Sequence, residues 1–539
     1  MVNVEELIGK VCPEAVFEAN EVAFASVPDE KWHAVAEALK NAGFDCLVTV
    51  VGEDWGDSLG CIYYMKSTEE HTLVSVKVAT ADRENPMLHS VSDLWKTALQ
   101  EEREVFDFFG IKFINHPDMR RLFLRDDWVG YPLRKDYDAS EEKNPLRLYH
   151  EESDDTSVSY VEGKDGKVEE KKVTLFGPDE FVVNIGPQHP ATHGVLRFRT
   201  SLDGETIKKI DVVCGYIHRG IEKLCEGDTY PQTIHFMDRL DYLGALMNEH
   251  CLCMCIEKAM GIEIPRRAQV IRVMMDELMR ISSHLLFFGT YCMDLGATTA
   301  LFYGIREREM ILDIFEETCG ARMTFNYNKI GGVEADLHPN FVKRVKEFLA
   351  IMPSRLREYN TLVSGNVIAQ NRMKGVGIID REDAINYTVT GPSGRASGWA
   401  CDIRKTNPYS IYNELDFDEV IMHGCDSYDR YLLRLKEIEQ SMKILEQLVD
   451  NIPEGDYCAK VPKIIKLPVG HWYQEVEASR GAFGVFIESK GDKKPYRLKL
   501  CSPGFHLVGI IDHITRGEKI ADLITIGGSL DYVVPDIDR

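Results

Sequence analysis

No Cys-x-x-Cys pair occurs anywhere in the 539 residues, so zinc ribbons and cysteine-ligated iron–sulfur sites have little support. There is no Gly-x-Gly-x-x-Gly opening a helix and no phosphate-binding P-loop, which leaves a nucleotide site without a sequence basis. Basic residues are scarce: 63 Lys and Arg stand against 87 Asp and Glu, a formal charge of −24, a poor match for a nucleic-acid backbone. The first residues, MVNVEELIGK, are acidic and lack an apolar signal core, so secretion is not expected. The 14 cysteines are scattered and read as reduced intracellular thiols. No internal repeat is found.

One long apolar run is present, Leu285–Ile305, interrupted by Asp294 and by Gly289 and Gly296, with Arg306-Glu-Arg-Glu309 just beyond. Its length would suffice to cross a bilayer. A central carboxylate is costly in lipid, and the run reads instead as protein interior beside a membrane partner.

The patterning divides the chain into three. Residues 1–137 carry 14 basic and 25 acidic residues and read as a small α+β domain. Its expected elements are a helix over Asp29–Ala42, strands over Cys46–Val51, Cys61–Met65 and Leu73–Val78, and a helix over Ser90–Phe109 opened by Ser90 and Asp93 and stopped by Gly110. Residues 138–180, with 6 basic and 13 acidic residues, read as a charged linker that cannot order itself alone, joining two separately folded units. Residues 181–539 read as a mainly helical domain with short sheets at its start and end. Paired strands are expected at Phe181–Ile185 and Val195–Leu202, helices over Tyr230–Met260, Arg266–Gly289, Leu301–Cys319, Asn340–Ser364 and Ser427–Asp450, and tail strands at Gly484–Ile487 and Tyr496–Leu500. The fold class is α+β.

Four clusters carry chemistry. Cys251-x-Cys253-x-Cys255 has ligand residues, but positions two apart on a helix diverge, which makes them core cysteines. The Gly-Pro-rich loop Asn184–Arg197 fixes two imidazoles, His189 and His193. Tyr216-Ile-His-Arg-Gly-Ile-Glu-Lys223 and Asp238-Arg-Leu-Asp-Tyr242 concentrate charge in an apolar helical setting, a sign of buried ion pairs. Glu102-Arg-Glu104, Asp107, His116, Arg120-Arg121 and Arg134-Lys135-Asp136 alternate acids and bases beside aromatics and suggest a salt network fixing domains, or a docking surface.

These runs are recognisable. Glu102-Arg-Glu104…Asp107-Phe-Phe…His116…Arg120-x-Leu-Phe, closing on Pro132-Leu-Arg-Lys-Asp136, resembles the 30-kDa subunit of respiratory complex I. Gly186-Pro-Gln-His-Pro-Ala-Thr-His-Gly194, Ile217-His-Arg-Gly-Ile-Glu-Lys223, Asp238-Arg-Leu-Asp-Tyr242, Met293-Asp-Leu-Gly-Ala297, Gly320-Ala-Arg322 and the terminal Asp536-Ile-Asp-Arg539 resemble the 49-kDa subunit. The whole is similar to a bacterial fusion of these two subunits of NADH-quinone oxidoreductase. That family is related to the nickel–iron hydrogenase large subunit, whose metal-binding cysteine pairs have no counterpart here.

The resemblance implies a quinone head-group cavity, with His193 and Tyr242 as ligands and Asp294 as partner of His193. It implies that Arg219, Arg239 and His284 lie near the terminal iron–sulfur cluster of a neighbouring small subunit. No metal is expected on this chain; iron–sulfur clusters and FMN belong to partners. Those partners are the small iron–sulfur subunit, a ferredoxin-like iron–sulfur subunit, a membrane-arm quinone-channel subunit and NADH-oxidising subunits. The resemblance places the chain peripherally, on the cytoplasmic face of the inner membrane, in a proton-pumping assembly. The alternative is a structural connecting subunit of a related ferredoxin-driven or hydrogenase-like complex.

Overall fold

The computed structural model describes residues 3–18, 22–138, 156–164, 166–188 and 192–539. Five strands form the first sheet, in the order Val16–Glu18, Ala23–Ser26, Leu73–Thr80, Leu59–Lys66 and Cys46–Asp54. Every residue of Cys46–Asp54 is buried, because the strand is covered on both faces. The helix Ala98–Phe109 packs against one face, where a Cβ on Gly52 would come within 2.7 Å of the Phe109 ring. The other face meets the C-terminal sheet of Val469–Ala478, Gly481–Lys490 and Arg497–Cys501. Phe24, Val48, Val51, Ile62 and Tyr64 pack there on Tyr473, Phe486 and Cys501, with Tyr64 stacked on Tyr473.

The expected helix start at Ser90 is not what forms; the helix begins at Ala98. The Ser90 hydroxyl and the Val91 N–H donate to the buried Glu102 carboxyl at 2.6 and 3.0 Å, and Asp93 pairs with His33 at 2.9 Å. These long-range partners hold residues 90–97 as turns and override the local start signal.

The charged segment also differs from a plain linker. Thr156–Glu162 and Val168–Thr174 form a hairpin that adds to Met87–His89 and Lys112–Ile114 as a four-stranded sheet. Its composition is too polar to fold alone; the edge beside Ile114 supplies the hydrogen-bonding template.

Nor do two units keep separate cores. Phe108 and Phe123 stack on His218, Phe123 packs on Phe505, and one apolar cluster includes both Trp32 and Ile537. A buried ion network crosses the same boundary. Glu104 meets Arg539 at 2.7 Å and Lys499 at 2.5 Å, and Glu101 meets His506 at 3.1 Å; within the second domain Glu222 extends the network, 3.3 Å from Arg539 and 2.7 Å from Arg497. The acid–base run in the first domain is therefore a domain-fixing network.

The second core is helical. The expected helix Tyr230–Met260 is two, Tyr230–Met237 and Ala245–Met260, and Arg266–Asp294, Thr298–Cys319 and Phe341–Tyr359 follow. The apolar run Leu285–Ile305 folds back on itself at Leu295–Ala297, so it is a helical hairpin. Glycines let its arms touch: a Cβ on Gly289 would lie 3.0 Å from Leu301 Cα, and one on Gly304 would lie 2.5 Å from the Leu285 carbonyl oxygen. No helix among the described residues is long and apolar enough to cross a membrane. Strands Phe181–Ile185, Arg197–Asp203 and Thr206–Val213 make the sheet that carries the histidine loop.

Candidate functional site

His193 lies in the loop before strand Arg197–Asp203, with φ at +51°, the sparsely populated left-handed region for a side-chain-bearing residue. Gly194 follows at φ +152°, and a Cβ there would strike Val534 at 2.6 Å. The loop is thus clamped on the C-terminal segment, and the imidazole is held in place. Its Nε2 lies 2.8 Å from Oδ2 of Asp294, the last residue of the helix Arg266–Asp294. Asp294 is admitted by Gly528, whose Cβ would come within 3.2 Å of the same oxygen. His189 lies outside the described residues.

Tyr242 stands in the turn that splits the two helices. Asp241 makes that turn: its Oδ1 accepts the Leu243 N–H at 3.0 Å and its carbonyl accepts the Gly244 N–H at 3.0 Å. The Asp241 Oδ2 accepts from Arg480 at 2.7 Å, which turns the neighbouring Tyr242 outward, 37% exposed. Partial burial of the phenol raises the Tyr242 hydroxyl above its ordinary value, so it is neutral and a proton donor near pH 7.

Arg480 connects the two halves. Its Nε donates to the Asp531 carbonyl at 2.7 Å and its Nη2 to the Asp531 carboxylate at 3.3 Å. The next residue, Tyr532, sets its ring edge-on to His193 at 6.2 Å. Arg480 therefore ties Asp241, next to Tyr242 in the chain, to Asp531, and Tyr532, next to Asp531, meets the His193 ring that faces Asp294. Sequence reasoning does not single out Arg480, Asp531 or Tyr532. Their signal is faint: an Arg between two strands, and an Asp-Tyr pair shortly after Gly527-Gly528 in a tail without cysteine.

Arg219 and Arg239 are exposed neighbours. Arg219 Nη2 donates to the Arg239 carbonyl at 2.7 Å, and Arg239 Nη1 donates to the His235 carbonyl at 2.6 Å. Burial and then repulsion from Arg239 hold the Arg219 guanidinium below its usual value, so this face favours an anion. His284 is not exposed with them. It is fully buried, its Nε2 is 2.8 Å from Glu437, and burial draws its imidazole below the ordinary value against the pull of Glu437.

The three helical cysteines are core residues. Cys251 donates to the carbonyls of Gln474 and Phe483, Cys255 to that of Val485, and Cys253 lies toward Arg272 and Glu257.

Residues 25–143 match the family described as respiratory-chain NADH dehydrogenase, 30 Kd subunit, and residues 294–539 match the 49 Kd subunit. The chain is 58% identical to the C/D subunit of NADH-quinone oxidoreductase from Phocaeicola vulgatus, over 95% of this chain and 99% of that one. It is 59% identical to the C/D subunit from Bacteroides thetaiotaomicron, over 92% and 95%. The separate D subunit from Bacillus cytotoxicus is 47% identical over 67% of this chain and 99% of its own length. The chain belongs to the family of fused C/D subunits of NADH-quinone oxidoreductase, with the 30-kDa and 49-kDa complex I subunits in one polypeptide.

Proposed function

We propose that this chain forms the quinone head-group site of a proton-pumping NADH:quinone oxidoreductase, beside the terminal iron–sulfur cluster of a small partner subunit. The observation that carries this reading is the link in which Arg480 ties Asp241, the chain neighbour of Tyr242, to Asp531, the chain neighbour of Tyr532, whose ring meets the imidazole of the His193–Asp294 pair. A phenol hydroxyl and an imidazole at its two ends suit a ring with two carbonyl oxygens: each donates a hydrogen bond to one oxygen and can release a proton to it. Reduction adds two electrons and two protons, turning both carbonyls into hydroxyls. The electrons are supplied by the partner's cluster. One proton leaves Tyr242 Oη and the other leaves a His193 ring that carries both N–H protons, so that Asp294 then faces a neutral ring.

Arg219 and Arg239 present positive charge to the cluster, which favours its reduced, more negative state. The buried His284 acts on it through the protein interior. The exposed Met293 and Phe302 on the hairpin that carries Asp294 support contact with a membrane-arm quinone-channel subunit. The ferredoxin-like iron–sulfur subunit and the NADH-oxidising, FMN-bearing subunits make up the rest of the electron path. The assembly stands on the cytoplasmic face of the inner membrane, with this chain peripheral.

Tyr242→Phe tests the site, because it keeps the ring and removes only the hydroxyl. Quinone reductase turnover of the assembled complex should fall by about 10²-fold. Near-normal turnover with several quinones would remove Tyr242 from the site.

A further inference from the structure

Asp238 and Glu249 are fully buried carboxyl residues that the reduction chemistry leaves unused. Asp238 ends the helix Tyr230–Met237, and Glu249 lies early in Ala245–Met260. Glu249 Oε2 accepts the N–H groups of Tyr327 and Asn328 at 3.0 and 2.7 Å. Asp238 Oδ2 accepts the Asn326 N–H at 3.1 Å and Arg239 Nη1 at 3.5 Å. The remaining oxygens, Asp238 Oδ1 and Glu249 Oε1, are buried and meet no other donor among the described residues. Three successive backbone N–H groups, those of Asn326, Tyr327 and Asn328, hold the two carboxyl groups, which sets them side by side in the interior.

Two carboxylates have only acceptors, so a hydrogen bond between them requires a proton on one. The surroundings agree. Arg239 and His235 face Asp238 from the end of its own helix. The Cys253 and Cys319 thiols face Glu249, from its own helix and from Thr298–Cys319, and burial keeps both neutral. The loop around Asn326 contributes backbone N–H groups only. A doubly ionised pair would leave one charge with no permanent cation to balance it. Asp238 has the Arg239 guanidinium; burial, and then Asp238 itself, push Glu249 well above the usual carboxylate range.

We propose that Glu249 holds a proton and donates it in a hydrogen bond to Asp238, so that the pair carries one negative charge and Asp238 is a positioning residue for the Arg239 guanidinium. The consequence for the partner's cluster rests on the reading of Arg239 given above.

Glu249→Gln is the test, because its amide N–H replaces the shared proton and leaves one negative charge. In the intact complex, the wild-type-minus-E249Q infrared difference spectrum should contain the carbonyl band of a protonated carboxyl group. The cluster midpoint, followed by electron paramagnetic resonance, should be unchanged in E249Q at neutral pH. It should fall at alkaline pH in the wild type, as Glu249 ionises, but not in E249Q. Absence of the band, or a midpoint raised in E249Q at neutral pH, would overturn the shared proton. If E249Q fails to assemble, Asp238→Asn must shift the same band, and an unmoved band overturns the pairing. Arg239→Met separates the two readings: an unchanged midpoint there removes Arg239 from the cluster, while the infrared band still decides the proton.

Discussion

His193 Nε2 and Asp294 Oδ2 lie 2.8 Å apart, one from a loop held in the left-handed backbone region, the other from the last residue of a long helix. Asp294 is 9% exposed at its side chain, so its charge has few partners other than this imidazole. Asp294→Asn keeps the shape and removes the charge. Reduction of the partner's cluster by the upstream donor should be intact, and quinone reduction should slow by about tenfold or more. Stopped-flow reduction followed with and without quinone separates the two steps; wild-type quinone turnover would refute the pairing.

Arg219 and Arg239 form an exposed cationic pair. Replacing either with Met keeps length and removes one charge. The cluster midpoint should then fall, because the reduced cluster loses a favourable neighbour. A redox titration followed by electron paramagnetic resonance reads this, and an unmoved midpoint for one variant takes that residue out of the role.

The ion network between the domains predicts acid lability. Burial pushes Glu101 up, but Lys499 and His506 outweigh it and hold the carboxyl at about 2; Arg497, Lys499 and Arg539 do the same for Glu222, also at about 2. Both values lie below the ordinary 4.5, so the network's full contribution is present above pH 4.5. It is lost as pH falls from there toward 2. Arg539→Ala strips Glu104 and Glu222 of a partner and should cost about 3–5 kcal/mol at pH 7. Denaturant unfolding at pH 7 and pH 3 should show the variant's deficit shrinking at the lower pH. An equal deficit at both would mean the arginine acts by packing alone.

Gly304 sets the closeness of the hairpin that ends beside Asp294. A Cβ there meets the Leu285 carbonyl oxygen at 2.5 Å, backbone that cannot rotate away. Gly304→Val should destabilise by about 1–3 kcal/mol or more through forced separation of the arms. It should also lower quinone reduction beyond the loss of folded protein, since Asp294 moves with its helix. Thermal unfolding together with activity per folded molecule would show both; a variant of unchanged stability would mean that the arms are not in contact.

Much of the architecture is legible in the chain itself. The apolar strand pattern over Cys46–Val51 and helical spacing over Arg266–Gly289 are local properties, and the strand and helix form where they predict, a few residues longer. Asp294 within an apolar run demanded a buried partner whatever the fold. What spacing could not reveal is which distant groups meet. Glu102 takes Ser90 and cancels a helix start; Asp241 and Arg480 break one expected helix into two; Ile114 gives a polar hairpin its template. The link from Asp241, beside Tyr242, to His193 runs through Arg480, Asp531 and Tyr532, contributed by a turn between two strands and a tail far along the chain. Local periodicity reflects each residue's own backbone preference and burial. Partner choice among charged groups depends on which side chains are desolvated together, and that is fixed only when the elements pack.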